Sequence, residues 1–200
     1  YTGDGIFTRN SSCWINGITN ISCFSPAQLG NGSAWNTRAG TLITKKHVLF
    51  AKHYLPTILS GGTPMIFVDE NSNVVRRNLI SINTYPSDDI GIGLLDSEVP
   101  SNIKIAKVLP KNYADYLNLG VHTDFISCLA LDQEEKALAK MFQALVMSNA
   151  YFGDYSDSSW TEAIISGDSG NPIFFIIDNE LVVLTTWYTA TYGPFITYYY

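Results

Sequence analysis

Most apolar runs in this chain are short, rich in β-branched and aromatic residues, and bounded by Gly, Asn, Asp or Pro. Residues 41–44, 47–51, 64–68, 77–83, 90–95, 124–131, 172–177 and 181–187 are of this kind, and together they predict an all-β chain. The last two flank Asp178-Asn179-Glu180 and read as a hairpin, while Asn16-Gly17 marks a tight turn. One stretch conflicts with the pattern. In "QEEKALAKMFQALV" the residues Leu138, Met141, Phe142 and Leu145 recur at helical spacing. The polar "NLGVHTD" around residue 120 looks like a connection between two halves, with a boundary between residues 108 and 121.

With 200 residues and 46% apolar side chains, the chain can bury the core of one domain or of two small packed ones. Its 18 acidic and 12 basic residues leave a net charge of -6 with no cluster of Lys or Arg, which argues against nucleic acid as a partner. No run approaches the roughly 18 to 20 apolar residues of a membrane span, so a soluble protein is expected. The chain opens on Tyr1 without a methionine, as after removal of a leader or as part of a longer chain. Cys13 and Cys23 lie close enough in sequence to staple one segment, which leaves Cys128 unpaired. Asn10, Asn20 and Asn31 begin Asn-x-Ser triplets, which are glycan acceptors on a eukaryotic secretory route and equally a product of local composition. No His or Cys pair has the spacing of metal ligands, and no cofactor is indicated.

The stretch "ISGDSGNPIFF", residues 165–175, sets Ser169 between Gly167 and Gly170 ahead of a strand-like run. Glycines there permit a sharp turn in which backbone amides converge, as an acyl-transfer enzyme needs at its oxyanion; they equally suit an ordinary turn before a core strand. A serine nucleophile also needs a base, usually a histidine oriented by a carboxylate. His47 stands among lysines at a strand end and His122 in the polar connection. His53 follows "HVLFA" just past a strand end, where it is either a base held in a cleft or a satisfied turn residue. Asp88 and Asp89 precede the run at 90–95, and Asp89, adjoining the strand, is the better candidate to orient a histidine.

These segments share an order. "GDSGNP" closely resembles the nucleophile motif G-D-S-G-G-P of trypsin-like, chymotrypsin-fold serine proteases. "VLFAKHY" at Val48 to Tyr54 is similar to their V-L-T-A-A-H-C, "AGTLIT" at Ala39 to Thr44 to C-G-G-T-L-I, and "DIGIGLL" at Asp89 to Leu95 to D-I-A-L-L. The resemblance runs from about residue 38 to the C-terminus. It implies two six-stranded antiparallel β-barrels with the active site in the cleft between them. Residues 1–115 would form the barrel carrying His53 and Asp89, and residues 116–200 the barrel carrying Ser169 and the specificity pocket. It further implies a secreted or extracellular endopeptidase acting on protein or peptide substrates. Ser169 would be the nucleophile, His53 the general base and then acid, and Asp89 the group fixing the imidazole tautomer. The amides of Gly167 and Ser169 would form the oxyanion hole. By the same analogy "KMFQALVM" is a strand, against its helical period.

The chain departs from the family in ways that carry expectations. Arg38 and Tyr54 stand where a disulfide often flanks the histidine, and Phe175 faces Cys128 where another is usual, so Cys128 is expected to be free and buried. Ile165 replaces a cysteine that braces the pocket. There is no I-V-G-G-like start to supply an amine to Asp168, which must find another partner. The terminal "YGPFITYYY" resembles the last barrel strand without the family's closing helix. Ala163 falls at the pocket floor, Thr186 and Trp187 on the strand that pairs with substrate, and Tyr188 at the pocket entrance, a set that favours small or medium apolar side chains over basic ones. The rival reading is a protease-fold binding module with a blocked or inactive cleft. An α/β-hydrolase would need glycine at position 171, where Asn171 stands, and the order Ser, acid, His. A subtilisin arrangement would need Asp89, His122 and a serine opening a helix, whereas "NPIFFII" is strand-like.

Overall fold

The computed structural model describes residues 7–29, 35–36, 38–115, 125–144, 149–154, 158–162, 165–187 and 191–199. Nearly all of its regular structure is β, in two sheets. The first is built from β1 (Phe24–Ser25), β2 (Gln28–Leu29), β3 (Trp35–Asn36), β4 (Gly40–Leu42), β5 (His47–Ala51), β6 (Thr63–Val68), β7 (Val74–Thr84) and β8 (Ile90–Leu95), in the spatial order β1-β4-β5-β8-β7-β6-β2-β3. β1 and β2 are separated only by Pro26 and Ala27, yet β1 pairs with β4 and β2 with β6. One short stretch therefore bridges both edges of the sheet and nearly closes it into a barrel, which leaves few edge groups unpaired.

The second sheet takes β9 (Lys107–Val108), β10 (Ile126–Leu131), β11 (Ala137–Ala144), β12 (Asn149–Asp154), β13 (Pro172–Ile177), β14 (Glu180–Thr186) and β15 (Tyr192–Pro194), in the order β15-β12-β11-β10-β13-β14-β9. All its pairings are antiparallel except β9 with β14. The chain passes from one sheet to the other between Leu95 and Lys107. The break at 115/116 borders residues 116–124, which include His122 and lie outside the described residues.

Local chemistry explains several elements. Asp178 and Asn179 adopt φ of 50° and 62°, the two positive values of a type I′ turn, so β13 and β14 join in a two-residue hairpin. Asn16-Gly17 forms the expected tight turn, spanned by the Ile18 N–H donating to the Ile15 carbonyl at 2.9 Å with Gly17 at φ 82°. β11 is a strand through Ala144, and residues 145–148 lie outside the described part. Leu138, Lys140 and Phe142 are buried in alternation, while Leu138 and Phe142 also satisfy the i, i+4 spacing of a helix face. A four-residue interval fits both periods, so ladders on both sides decide, with β10 and β12.

One apolar cluster spans both sheets, including Phe50, Leu79 and Leu95 from the first and Leu131, Phe174 and Val183 from the second. A second, with Phe142, Phe152 and Phe195, fills the second sheet alone. Each such ring removed from water contributes about 1.5–3 kcal/mol. The glycines of "IGIGLL" make room for this packing, since a Cβ on Gly93 would stand 2.4 Å from Leu79 Cδ1 and 2.7 Å from Phe50 Cε2. Cys13 and Cys23 do not staple the first segment: all three cysteines are free and buried. Turns between Cys13 and Cys23 set both into the core, Cys128 packs in the second cluster, and burial pushes the Cys23 thiol up to about 12 and the Cys128 thiol higher still, so these two act as small apolar groups. Of the triplet asparagines, Asn10 and Asn20 bond within the chain and Asn31 lies outside the described residues. Among the described residues, no helix is long and apolar enough to cross a membrane.

The β6–β7 turn is organised by Asp69. Its carboxylate accepts from Asn73 Nδ2 at 2.9 Å and Asn102 Nδ2 at 2.7 Å, and from the backbone N–H groups of Asn71 and Asn73 at 2.9 and 2.8 Å. These bonds, led by the Asn73 side chain, favour the ionised form and hold the carboxyl at about 2. Because the folded value lies below the unfolded one of about 3.9, the contribution is full above that pH and is lost as pH falls towards 2. Urea unfolding of the wild type and of Asp69→Asn should therefore differ most above pH 5 and converge near pH 2.

Candidate active site

The strand register brings the histidine and aspartate together. β5 pairs antiparallel with β8 so that Ala51 stands opposite Ile90, and the next residues along each chain are Lys52 and Asp89. The pairing continues one step, with the Lys52 N–H donating to the Asp89 carbonyl at 3.3 Å. A single 3-10 turn, Lys52–Tyr54, then swings His53 over Asp89. Asp89 Oδ1 accepts the His53 backbone N–H at 2.7 Å, and Oδ2 lies 2.7 Å from His53 Nδ1. Lys52 Nζ donates to the Tyr85 and Pro86 carbonyls at 2.9 and 3.0 Å, tying down the loop that delivers Asp89. The Asp89 side chain is 10% exposed against 38% for His53, so the carboxylate is screened while the imidazole faces the cleft.

Ser169 comes from the other sheet, on the loop 165–171 before β13. Its Oγ lies 2.8 Å from His53 Nε2. Gly170 allows this approach. At φ 91° a Cβ there would stand 2.9 Å from the Ala39 carbonyl oxygen, so any side chain would push the loop off the first sheet. The loop is also locked to the end of β14, as the Gly170 N–H donates to the Trp187 carbonyl at 3.2 Å and the Trp187 N–H to the Asn171 carbonyl at 3.1 Å. The amides of Gly167 and Ser169 have no acceptor among the described residues.

Asp168 has no cation bonded to it among the described residues. Its Oδ2 accepts the Ile165 N–H at 3.0 Å and its Oδ1 stands 3.5 Å from Asn171 Nδ2. Burial is the largest influence on its carboxyl and raises it above the usual range, with the Ile165 N–H opposing and Glu162 adding to the rise. Beside the histidine, the expected absence of a disulfide is accounted for by another contact. The Arg38 guanidinium lies 5.0 Å from the centre of the Tyr54 ring and donates to the Leu55 carbonyl.

The other site candidates divide. Thr186 and Trp187 adjoin the nucleophile loop, but both are buried, and Thr186 Oγ1 and Trp187 Nε1 have no partner among the described residues. Ala163 and Tyr188 lie outside the described residues. His47 is a strand-end residue bonded through Nδ1 to Thr44 Oγ1 at 2.8 Å, and Asp88 accepts from Ser87 Oγ at 2.7 Å. Sequence reasoning missed Lys140. Its side chain is 1% exposed, bonded to Asp154, with Nζ 3.4 Å from the Glu162 carbonyl and 5.4 Å from the Trp187 ring centre. A lysine on an otherwise apolar inward face was the available signal. No group of three or more His, Cys, Asp or Glu among the described residues is placed to hold a metal.

No protein-family model matches the chain, and no curated protein matches it.

Proposed function

We propose that this chain is a serine endopeptidase of a distant trypsin-like branch, cleaving protein or peptide substrates through an acyl-enzyme outside the cell. The observation that carries the reading is the unbroken relay Asp89, His53, Ser169, with contacts of 2.7 and 2.8 Å joining groups from two different sheets. The relay falls on the residues that three separate motifs single out. In this reading the nearly closed first sheet, with β1 and β2 counted as one interrupted strand, is the first barrel of the family, and the second sheet is the second.

The mechanism follows from the positions of the protons. Asp89 accepts a hydrogen bond from the Nδ1–H of His53 and so keeps that proton on Nδ1, which leaves Nε2 free to accept the Ser169 hydroxyl proton as Oγ attacks the scissile carbonyl. The carbonyl oxygen becomes an oxyanion, which the amides of Gly167 and Ser169 stabilise; each such donor typically contributes about 100 to 1000-fold in rate. The imidazolium, stabilised by Asp89, gives its proton to the leaving amine, and water then repeats the sequence to release the acid.

An activated ester tests the covalent step. Acid quenching within the first turnover, followed by intact-mass measurement, should find one acyl group per chain, mapped to Ser169. A chain that turns the ester over without ever carrying the acyl group would exclude this route.

A further inference from the structure

The turn between β10 and β11, residues 132–136, reaches in two directions. Towards the candidate site, Gln133 Nε2 donates to the Gly167 carbonyl. Towards the N-terminal segment, the buried Glu135 accepts the Asn10 backbone N–H at 2.9 Å on Oε2 and pairs with Arg9 Nη1 at 3.1 Å through Oε1. Asn10 Nδ2 donates to the Glu134 carbonyl at 3.1 Å. Within the turn, Asp132 Oδ1 accepts the N–H groups of Glu134 and Lys136, both at 2.8 Å. A buried carboxylate bonded to a guanidinium and an amide is costly to displace, so the turn is a fixed platform.

What the platform holds is the conformation of the nucleophile loop. The peptide between Gly167 and Asp168 is pinned at both ends, its carbonyl by Gln133 and its N–H by the Ile165 carbonyl at 3.2 Å. The next peptide is held by the Asp168 carbonyl, which accepts the Asn171 N–H at 3.0 Å. With both planes fixed the Ser169 N–H has a set direction, and φ 114° at Gly167 relates the Gly167 N–H to the first of those planes. Packing does not do this alone, since a pocket of about 110 Å³ lined by Gln133, Leu138, Glu162, Ile165 and Asp168 adjoins the loop on either side of Gly167. A glycine peptide with open space beside it turns at little cost unless its carbonyl is held.

We propose that Gln133 is a positioning residue for the oxyanion-binding amides, and that Arg9 and Asn10 keep it in place through Glu135. The proposal rests on the serine-hydrolase reading of the site. It gives the N-terminal segment a part in activity without any contact between that segment and substrate.

Gln133→Met keeps the length of the side chain and removes its donor. Two quantities are compared in wild type and variant: the backbone amide shifts of 15N-labelled protein, and the rate at which a fluorophosphonate modifies Ser169 at saturation. The amides of Gly167, Asp168 and Ser169 should move, and the saturating rate should fall on the order of 100-fold at an unchanged half-saturating concentration. Glu135→Gln should shift both in the same direction, and the thermal midpoint of each variant controls for unfolding. If wild-type Ser169 is modified and the Gln133→Met variant reacts at the same rate, the proposal is overturned and the hydrolase reading stands. If wild-type Ser169 is not modified, the reading fails and the amides decide: movement of those three supports the positioning role, and an unchanged spectrum overturns it.

Discussion

If the chain is the proposed peptidase, Ser169→Ala should lower kcat for a cleaved peptide by about a million-fold and leave the thermal midpoint within about 1 °C of the wild type. The loss would be large because Oγ, at the end of the relay, is the atom that would form the acyl bond. The fold is spared because the hydroxyl's described contact is to His53, in the cleft. The amides of Gly167 and Ser169 belong to the backbone and survive the substitution. About 1000 to 10000-fold over water should therefore remain from oxyanion stabilisation and binding. Steady-state rates together with a melting curve check both halves. An unchanged kcat would remove Ser169 from the chemistry.

Asp89→Asn should cost about 10000-fold in kcat, and the reason lies in the two bonds that the carboxylate accepts. One oxygen takes the His53 backbone N–H and the other faces Nδ1. In an asparagine the carbonyl oxygen must stay on the backbone N–H, which turns the amide nitrogen towards Nδ1. That nitrogen donates, so Nδ1 becomes an acceptor and the ring proton moves to Nε2. An imidazole protonated at Nε2 cannot take the Ser169 proton. Asp88→Asn is the control, because Asp88 bonds to Ser87 and not to the histidine. Equal losses in the two variants would point to general loop damage instead of a tautomer effect.

The parts of the fold that were legible in the sequence are those where one physical signal acts alone. The runs at His47–Ala51, Ile90–Leu95 and Pro172–Ile177 are strands with those bounds, since short apolar runs ended by turn residues leave the chain little choice. β11 was ambiguous because Leu138 and Phe142, four apart, serve a helix face or a strand face equally well. The cysteines misled, since closeness in sequence says nothing of the direction in which two side chains leave the backbone. Ser169, His53 and Asp89 stood out because "GDSGNP", "VLFAKHY" and "DIGIGLL" set them beside strand ends in one order, with His53 one of only three histidines. Gln133 and Glu135 did not, because polar residues in a turn read as solvent-facing, and only the folded chain shows one held against Gly167 and the other against Arg9. The preference for small apolar side chains rested on Ala163 and Tyr188, outside the described residues.

The central claim is that Asp89, His53 and Ser169 act as one unit, and active-site-directed labelling tests it most directly. Purified protein would be treated with a fluorophosphonate, digested, and mapped by mass spectrometry. The account predicts a single adduct on Ser169 that disappears in His53→Ala, while both proteins keep the same melting curve. A well-folded wild-type chain that takes no adduct, or takes it on another residue, would contradict the account and shift the weight to the rival reading of a binding module.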